Sequence, residues 1–408
     1  MRPKALFPVA VVSVLCACGG TAKQPPVCVV VDAPATVEPN TIGLIVDSGP
    51  QCVGYINGLF ASVKICVPGT TTCQIIDHML VDTGSSGVRV LESVLHLALP
   101  VATNASGQGL AECVQFVLGT TWGPVALADV MMGNELAQSL SIQLIGETAY
   151  TMPADCTGTP NMDVQTLGSN GVLGVGPRMQ DCGAPCALTS RSNPGLYYAC
   201  SSAHACAMAA VPVTQQVSNP VGAFPVDNNG TIIQLGAIGP RGETSVSGVL
   251  TFGIGTQTNN GLGSATVLAI DQMDYFSTTF PVGGTPYTSV LDSGSNGLFF
   301  LNTALTNLTM CTSSGLSAWY CPASTTSFGA TLSSFNGASP STVVFSVGDA
   351  SKVSASAAAF DMAGPVPGFP NDTAGLGFFW GLPFFYGRSV YTAIEDKVTP
   401  GVGPYFAF

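Results

Sequence analysis

The sequence predicts an all-β chain built in two lobes, on three observations. Glycine and proline, 48 and 29 of 408 residues, separate short bursts rich in Val, Ile, Thr and Phe, the pattern of short strands joined by turns. The stretch Val81-Asp82-Thr83-Gly84-Ser85-Ser86-Gly87-Val88 has a second copy, Leu291-Asp292-Ser293-Gly294-Ser295-Asn296-Gly297-Leu298. Each copy also has an apolar follower ending in glycine: Gly174 lies 92 residues beyond Asp82, and Gly381 lies 89 beyond Asp292. The copies stand 210 residues apart, too far for one element and suited to one per lobe. The pattern reads as a divergent internal repeat in a chain long enough for a large core.

From the N-terminus, Arg2 and Lys4 precede an apolar run, Ala5 to Leu15, that is too short to span a bilayer. Leu15-Cys16-Ala17-Cys18 resembles the lipobox of bacterial lipoproteins, and Gly19-Gly20 follow. On that resemblance residues 1–18 are a signal peptide with its lipobox, Cys18 becomes the lipidated first residue, and the product is anchored in the bacterial cell envelope. An ordinary secretory signal is the other reading, and it also means export. Residues 19–42, rich in Pro, Ala and Thr, read as a tether.

Fourteen cysteines, twelve without Cys16 and Cys18, suit an oxidising compartment and up to six disulfides. Cys66 and Cys73 bracket a Val-Pro-Gly-Thr turn, Cys200 and Cys206 lie close, Cys311 and Cys321 flank a Ser/Gly loop, and Cys28 has a candidate partner in Cys52. Zinc is the competing reading for Cys182, Cys186, Cys200, His204 and Cys206, with disulfides preferred in an exported chain. No metal and no cofactor is expected.

Charged residues make up 8% of the chain, 11 basic against 23 acidic. That balance argues against nucleic acid, which needs a basic footprint. The three histidines, His78, His96 and His204, lie outside any nucleophile-elbow motif, which argues against a Ser-His-Asp hydrolase. His78 reads as structural. The glycine-rich runs have no phosphate-loop lysine.

Strand signals begin at Thr41–Val46, Phe60–Val67 and Gln74–Val81, the last two forming a hairpin that delivers Asp82 at the end of a buried strand. Val46-Asp47-Ser48-Gly49-Pro50 imitates the motif, but Pro50 replaces its hydroxyl residue, so Asp47 is read as part of a strand-end turn. From Phe116 to Gly133, two strand-like runs flank a Gly/Thr turn, a hairpin long enough to overhang a cleft. The expected division is 43–258 for the N-terminal lobe, with a Cys-rich insert near 180–215, and 259–408 for the C-terminal lobe.

With these residues in view, the chain resembles the pepsin-type aspartic peptidases across roughly residues 43–408. The resemblance rests on the paired Asp-Thr/Ser-Gly-Ser motifs and their apolar-apolar-Gly followers. It is supported by Gly119-Thr120-Thr121-Trp122-Gly123 with Asp129-Val130, Ser247–Gly253, and Trp380 through Glu395 with Gly403–Phe408. In detail it is still more similar to a bacterial lipoprotein family of unknown function that carries these motifs, which names no reaction.

The resemblance implies a bilobal fold of two pseudo-twofold-related, barrel-like lobes with a cleft between them. Asp82 and Asp292 would be catalytic and share one proton, since two adjacent carboxylates do not both ionise. Thr83 and Ser293 would bond across the pseudo-twofold, Ser85 and Ser295 would each donate to its own Asp, and Gly84 and Gly294 would let the loops approach. Phe116, Gly119, Thr120, Thr121 and Trp122 would form the flap over the cleft. The implied function is an exported, lipid-anchored endopeptidase, a monomer acting on peptide or protein substrates.

Two departures stand against this pattern. The flap tyrosine of pepsins is matched here by Phe116, which lacks a hydroxyl; Trp122 either supplies an N–H in its place or is a core or cleft-wall aromatic. Trp380 is bulkier than the aliphatic residue expected before Gly381, with Pro383 close behind. Arg388, alone in a long apolar region, reads as an ion-pair partner or a substrate contact. The alternative function is a catalytically silent envelope lipoprotein that binds peptide or glycan.

Overall fold

In a computed structural model the structure describes residues 28–36, 38–116, 119–366, 376–401 and 403–408. Residues 1–18, expected to be a signal peptide ending in a lipidated Cys18, lie outside them. Nearly every described element is a strand or a short 3-10 turn, and the helices Val164–Leu167 and Thr303–Thr306 are single turns. The expected all-β, bilobal architecture is what the chain adopts.

The described strands form two sheets. One has 15 strands and runs from the Cys-rich hairpin, through the first-half strands, into a ribbon containing Thr41–Asp47, Val246–Phe252, Gly230–Leu235 and Ser389–Ala393. The other has seven strands, all from the second half. The C-terminal strands Ser389–Ala393 and Tyr405–Ala407 leave the second half to join the large sheet, so the boundary between halves is crossed by backbone hydrogen bonds.

The hairpin reading at the first motif holds. Gly58–Cys66 pairs antiparallel with Cys73–Asp82, from Phe60 opposite Leu80 to Cys66 opposite Cys73. Its apolar residues alternate into a core with Val63, Ile65, Ile76, Met79 and Val81 at 2% exposure or less. Cys73–Asp82 then pairs in parallel with Gly171–Val175, setting Asp82 opposite Gly174, and Ser86–Leu91 returns antiparallel to the same strand. The second half repeats the arrangement: Thr285–Leu291 runs parallel to Leu376–Trp380, with Leu291 opposite Trp380, and Leu298–Phe300 returns antiparallel. Asp292 therefore follows in register beside Gly381, as Asp82 lies beside Gly174. This is the physical content of the nearly equal intervals in sequence.

Both glycines are needed for close approach. A Cβ on Gly174 would stand 2.8 Å from the Ser86 carbonyl carbon, and one on Gly381 2.1 Å from the Gly297 oxygen. Trp380 does not disturb its loop: it is buried, stacks on Phe378 at 5.3 Å, and donates its indole N–H to Thr278 Oγ1 at 2.9 Å. Pro383 has no N–H to offer the motif loop, and the Leu382 N–H reaches Ser295 O at 2.8 Å instead. The matching bond in the first half is Gly176 N–H to Ser85 O, also 2.8 Å.

Six disulfides staple the described residues. Cys28–Cys52, Cys66–Cys73, Cys200–Cys206 and Cys311–Cys321 follow the proximities seen in sequence, and Cys113–Cys156 and Cys182–Cys186 complete the set. The cysteines of the zinc reading are thus bonded to one another, and His204 Nδ1 bonds Thr151 Oγ1 at 2.8 Å. The insert folds as a hairpin, Tyr197–Ser202 with Ala205–Met208, laid on the flap strand Gly109–Phe116.

Candidate active site

Each motif places its Asp where a buried strand ends and the chain turns. Asp82 and Asp292 are fully buried, and each carboxyl acts on the titration of the other. Their Oδ1 atoms face common ground: a Cβ on Gly294 would stand 2.7 Å from Asp82 Oδ1 and 3.2 Å from Asp292 Oδ1. The backbone N–H of Gly84 donates to Asp82 Oδ1 at 2.8 Å, and that of Gly294 to Asp292 Oδ1 at 2.9 Å. Ser85 Oγ donates to Asp82 Oδ2, and Ser295 Oγ donates to Asp292 Oδ2 at 2.6 Å.

The loops are tied to one another by their second residues. Thr83 Oγ1 donates to Leu291 O at 3.1 Å and accepts from the Ser293 N–H at 3.0 Å. Ser293 Oγ donates to Val81 O at 2.7 Å and accepts from the Thr83 N–H at 3.1 Å. Each hydroxyl uses its donor and an acceptor lone pair on the other half of the chain.

Electrostatics separate the two carboxyls. Burial pushes both above the ordinary aspartate value, Asp292 much further because the charge of Asp82 adds to it. On Asp82 burial is opposed by the Ser85 hydroxyl, the contact with Asp292, the Gly84 N–H and the positive charge of Arg89. The titration belongs to the pair, and burial displaces it upward as a whole.

Arg89 was not singled out in the sequence. Its guanidinium is 1% exposed and donates to Ser86 O at 2.9 Å, Glu112 Oε1 at 3.0 Å and Asp181 Oδ2 at 2.8 Å. Tyr197 donates to Asp181 Oδ1 at 2.6 Å. Burial, only partly offset by Arg89 and reinforced by Asp181, pushes the Glu112 carboxyl far up. A second close pair of carboxyls thus sits behind the first motif, around one cation. The available signal was an Arg between Val88 and Val90 in an otherwise apolar strand; its partners come from distant stretches that no local pattern joins.

Asn57 was also missed. Its Nδ2 donates to Asn296 O and Phe360 O, both at 2.8 Å, and its Oδ1 accepts from the Phe360 N–H at 2.9 Å and the Tyr386 hydroxyl at 2.8 Å. It clasps the first half to the second beside the Asp292 loop. Arg178 does the same on the other flank, holding Asp274 at 2.7 Å and Glu395 at 2.8 Å.

The flap expectation needs correction. Gly119, Thr120 and Thr121 pair with Phe116, Gln115 and Val114, and residues 117–118 lie outside those described. A Gly/Thr turn was expected there because glycine suggests a bend, but the ladder continues through it. Thr120 donates to Thr157 O, Thr121 to Gln143 Oε1, and the Trp122 indole to Tyr150 O at 3.0 Å. Trp122 packs edge-on against Tyr198 and is a core residue. Phe116 and Val114 alone of the flap strands line the small cavity of about 20 Å³ at Ser85. A larger cavity of about 490 Å³ continues outward past Arg178, Leu196 and Asp274.

The other singled-out charges are structural. Asp47 accepts from the Val31 and Gly49 N–H groups, each at 2.9 Å, and from His78 Nε2 at 3.1 Å. Arg388 forms no ion pair among the described residues: it lies 4.5 Å over the Phe384 ring and donates to Phe384 O.

Comparison with known proteins bears on the fold. A family profile described as "Protein of unknown function (DUF3443)" matches residues 36–408. No curated protein matches the chain. Among solved structures, an aspartic proteinase from Irpex lacteus superposes with a TM-score of 0.54 at 14% identity, over 90% of this chain and 96% of that one. At that identity the likeness shows a shared fold.

Proposed function

Since this chain belongs to the DUF3443 family, whose description names no reaction, we propose from the site itself that it is an exported, lipid-anchored aspartic endopeptidase acting on peptide or protein substrates. The observation that carries the reading is the fully buried pair Asp82 and Asp292, whose Oδ1 atoms both flank Gly294 and whose carboxyls are each held by a Ser and a Gly. A purely structural role does not account for two like carboxyls brought together away from water, an arrangement that is costly unless a proton is shared and used.

In this reading Asp82 in its ionised form takes a proton from a water molecule as the water oxygen bonds to the scissile carbonyl carbon. Asp292 gives its proton to the carbonyl oxygen. Collapse returns that proton to Asp292, breaks the C–N bond, and passes the proton on Asp82 to the leaving nitrogen. The dyad ends as it began. Both titration steps are displaced upward by burial, so the bell-shaped pH profile should have both limbs above the ordinary aspartate range.

The lipid anchor rests on Leu15–Cys18, and the six disulfides support an oxidising destination. The silent binding reading draws support from a flap strand that offers Phe116 in place of a hydroxyl residue and keeps Trp122 in the core.

The test is proteolysis of denatured protein by the full chain in mild detergent across acidic to neutral pH, beside Asp82→Asn and Asp292→Asn. The wild type should cleave, a statine-type inhibitor should stop it, and both variants should be inert. Equal inertness of all three, with no shift in melting temperature on adding the inhibitor, would transfer the proposal to the binding reading.

A further inference from the structure

The larger cavity beside the site is bounded by three separate parts of the chain. The Cys-rich insert contributes Pro185 and Leu196, the second half Met273 and Asp274, and the C-terminal segment Glu395 and Asp396. It shares Arg178, Gln180, Leu196 and Asp274 with the small cavity at Ser85, the residue whose hydroxyl holds Asp82. One cavity therefore runs on from the other. At about 490 Å³ the outer one is of the size that small ligands and side chains occupy, roughly 300–1,000 Å³.

Its walls are fixed by bonds of their own. On the insert, the Cys182–Cys186 disulfide spans the turn Ala184–Ala187. The buried Gln216 side chain accepts from the Gly183 N–H at 2.7 Å and donates to the carbonyls of Gly183 and Val211 at 2.9 and 3.0 Å. Asn193 Nδ2 donates to Cys186 O at 3.0 Å. On the second half, Asp271 Oδ1 accepts from the Met273 and Tyr275 N–H groups at 2.8 and 3.0 Å. A space held open in this way asks little reorganisation of what enters it.

The charge inside is unbalanced. Arg178 is taken up by Asp274 at 2.7 Å, Glu395 at 2.8 Å and the Asp271 carbonyl at 3.0 Å. Asp396 adds a third carboxylate, exposed and without an ion pair among the described residues. One guanidinium against three carboxylates leaves a formal balance of −2. Pro185, Leu196 and Met273 supply apolar surface in the same space. An apolar stem that ends in a cation is complementary to both features, and that is the build of lysine and arginine.

We propose that this cavity is a substrate subsite that takes a Lys or Arg side chain of the bound peptide, away from the bond that is cut. The inference rests on the peptidase reading and adds the substrate class, peptides with a basic residue on one flank. Selection comes from both signs at once, because the carboxylates that attract a cation reject an acidic side chain at the same place.

The test is a series of peptides in which one Lys, Gln or Glu is moved residue by residue away from the cleaved bond, with kcat/KM measured for the full chain in mild detergent. At one position the wild type should prefer Lys to Glu by about tenfold or more, chiefly through KM, and added salt should shrink the ratio. Asp396→Asn should bring the ratio to about threefold, the modest share of one exposed charge. Asp396 sits at φ 56°, a region asparagine also adopts, so this change removes charge without straining the backbone. Ala184→Lys, which sets a cation on the insert's side of the cavity, should abolish or reverse the preference. Wild-type cleavage with no such preference overturns the inference and leaves the peptidase reading standing. A preference that neither substitution moves is set by charges elsewhere and overturns it too. If the wild type does not turn over, statine-type inhibitors carrying the same Lys and Glu series decide: about tenfold tighter binding of a Lys form supports the subsite. Equal affinity overturns it, and no binding of any form overturns both readings.

Discussion

Thr83 and Ser293 exchange hydrogen bonds with each other's backbone: the Thr83 N–H donates to Ser293 Oγ at 3.1 Å, and the Ser293 N–H donates to Thr83 Oγ1 at 3.0 Å. The exchange joins residues 210 apart in the chain and sets the separation of the adjoining carboxyls.

Removing one side of the exchange should therefore loosen both loops. Ser293→Ala leaves the Thr83 N–H and the Val81 carbonyl without their partner in a fully buried place. We expect a loss of about 1–3 kcal/mol in stability and a fall in kcat of at least tenfold, since small misplacements of reacting groups are costly. Ser293→Thr, which restores the hydroxyl and copies the residue at position 83, should recover most of both. Urea denaturation and steady-state kinetics on the same preparations check this; equal loss in the two variants would show that packing, rather than the hydroxyl, holds the loops.

Arg89 should be among the most sensitive positions outside the motifs. Arg89→Met abandons Glu112 and Asp181 in the interior, and breaking a buried ion cluster from one side costs about 3–5 kcal/mol. The same change removes the charge that holds down Asp82. In material folded well enough to assay, the acid limb of the pH profile should move to higher pH. An unmoved limb would show that Arg89 serves stability alone.

Stability should favour acid. Asp82, Asp292, Glu112 and Glu135 are all raised by burial, as are Asp274 and Asp361, each to about 6. A carboxyl with a raised folded-state pKa stabilises fully below its unfolded value, near 4, and that contribution is lost as pH rises through the folded value. His78 is raised as well, by its hydrogen bonds to Asp47 and Asp77 acting against burial, and loses its contribution in the same direction. Asp349, lowered by the Ser351 hydroxyl, works the other way. The melting temperature, measured by calorimetry with disulfides intact, should be higher at pH 4 than at pH 7.5. Asp292→Asn should narrow the difference, and a higher value at pH 7.5 for the wild type would contradict the assignment.

The motifs were legible because each is local. A strand, an Asp, a hydroxyl residue and a glycine must be contiguous to make a tight loop at a strand end, so the pattern survives in one dimension. The spacing of Gly174 and Gly381 was legible as a repeated interval, each glycine lying on or next to the parallel neighbour of its Asp strand. The flap was read less well. Gly119 suggested a turn, yet its cross-strand position opposite Phe116 is a matter of register, and register is set by which face the neighbouring sheet buries.

Asn57, Glu112 and Asp181 left no usable trace, and Arg89 left only its place between two valines. Each is an unremarkable polar residue in its own stretch, and its role exists only through partners tens or hundreds of residues away. The amino-acid order by itself determined that the chain is all-β, bilobal, rich in disulfides, and equipped with two matching Asp loops. Only the tertiary structure decided that the loops meet and that Arg89, held by Glu112 and Asp181, lies behind the first of them. The reason is that a turn depends on neighbouring dihedral angles, whereas the charge state of a buried group depends on everything packed around it, and folding chooses that company from across the whole chain.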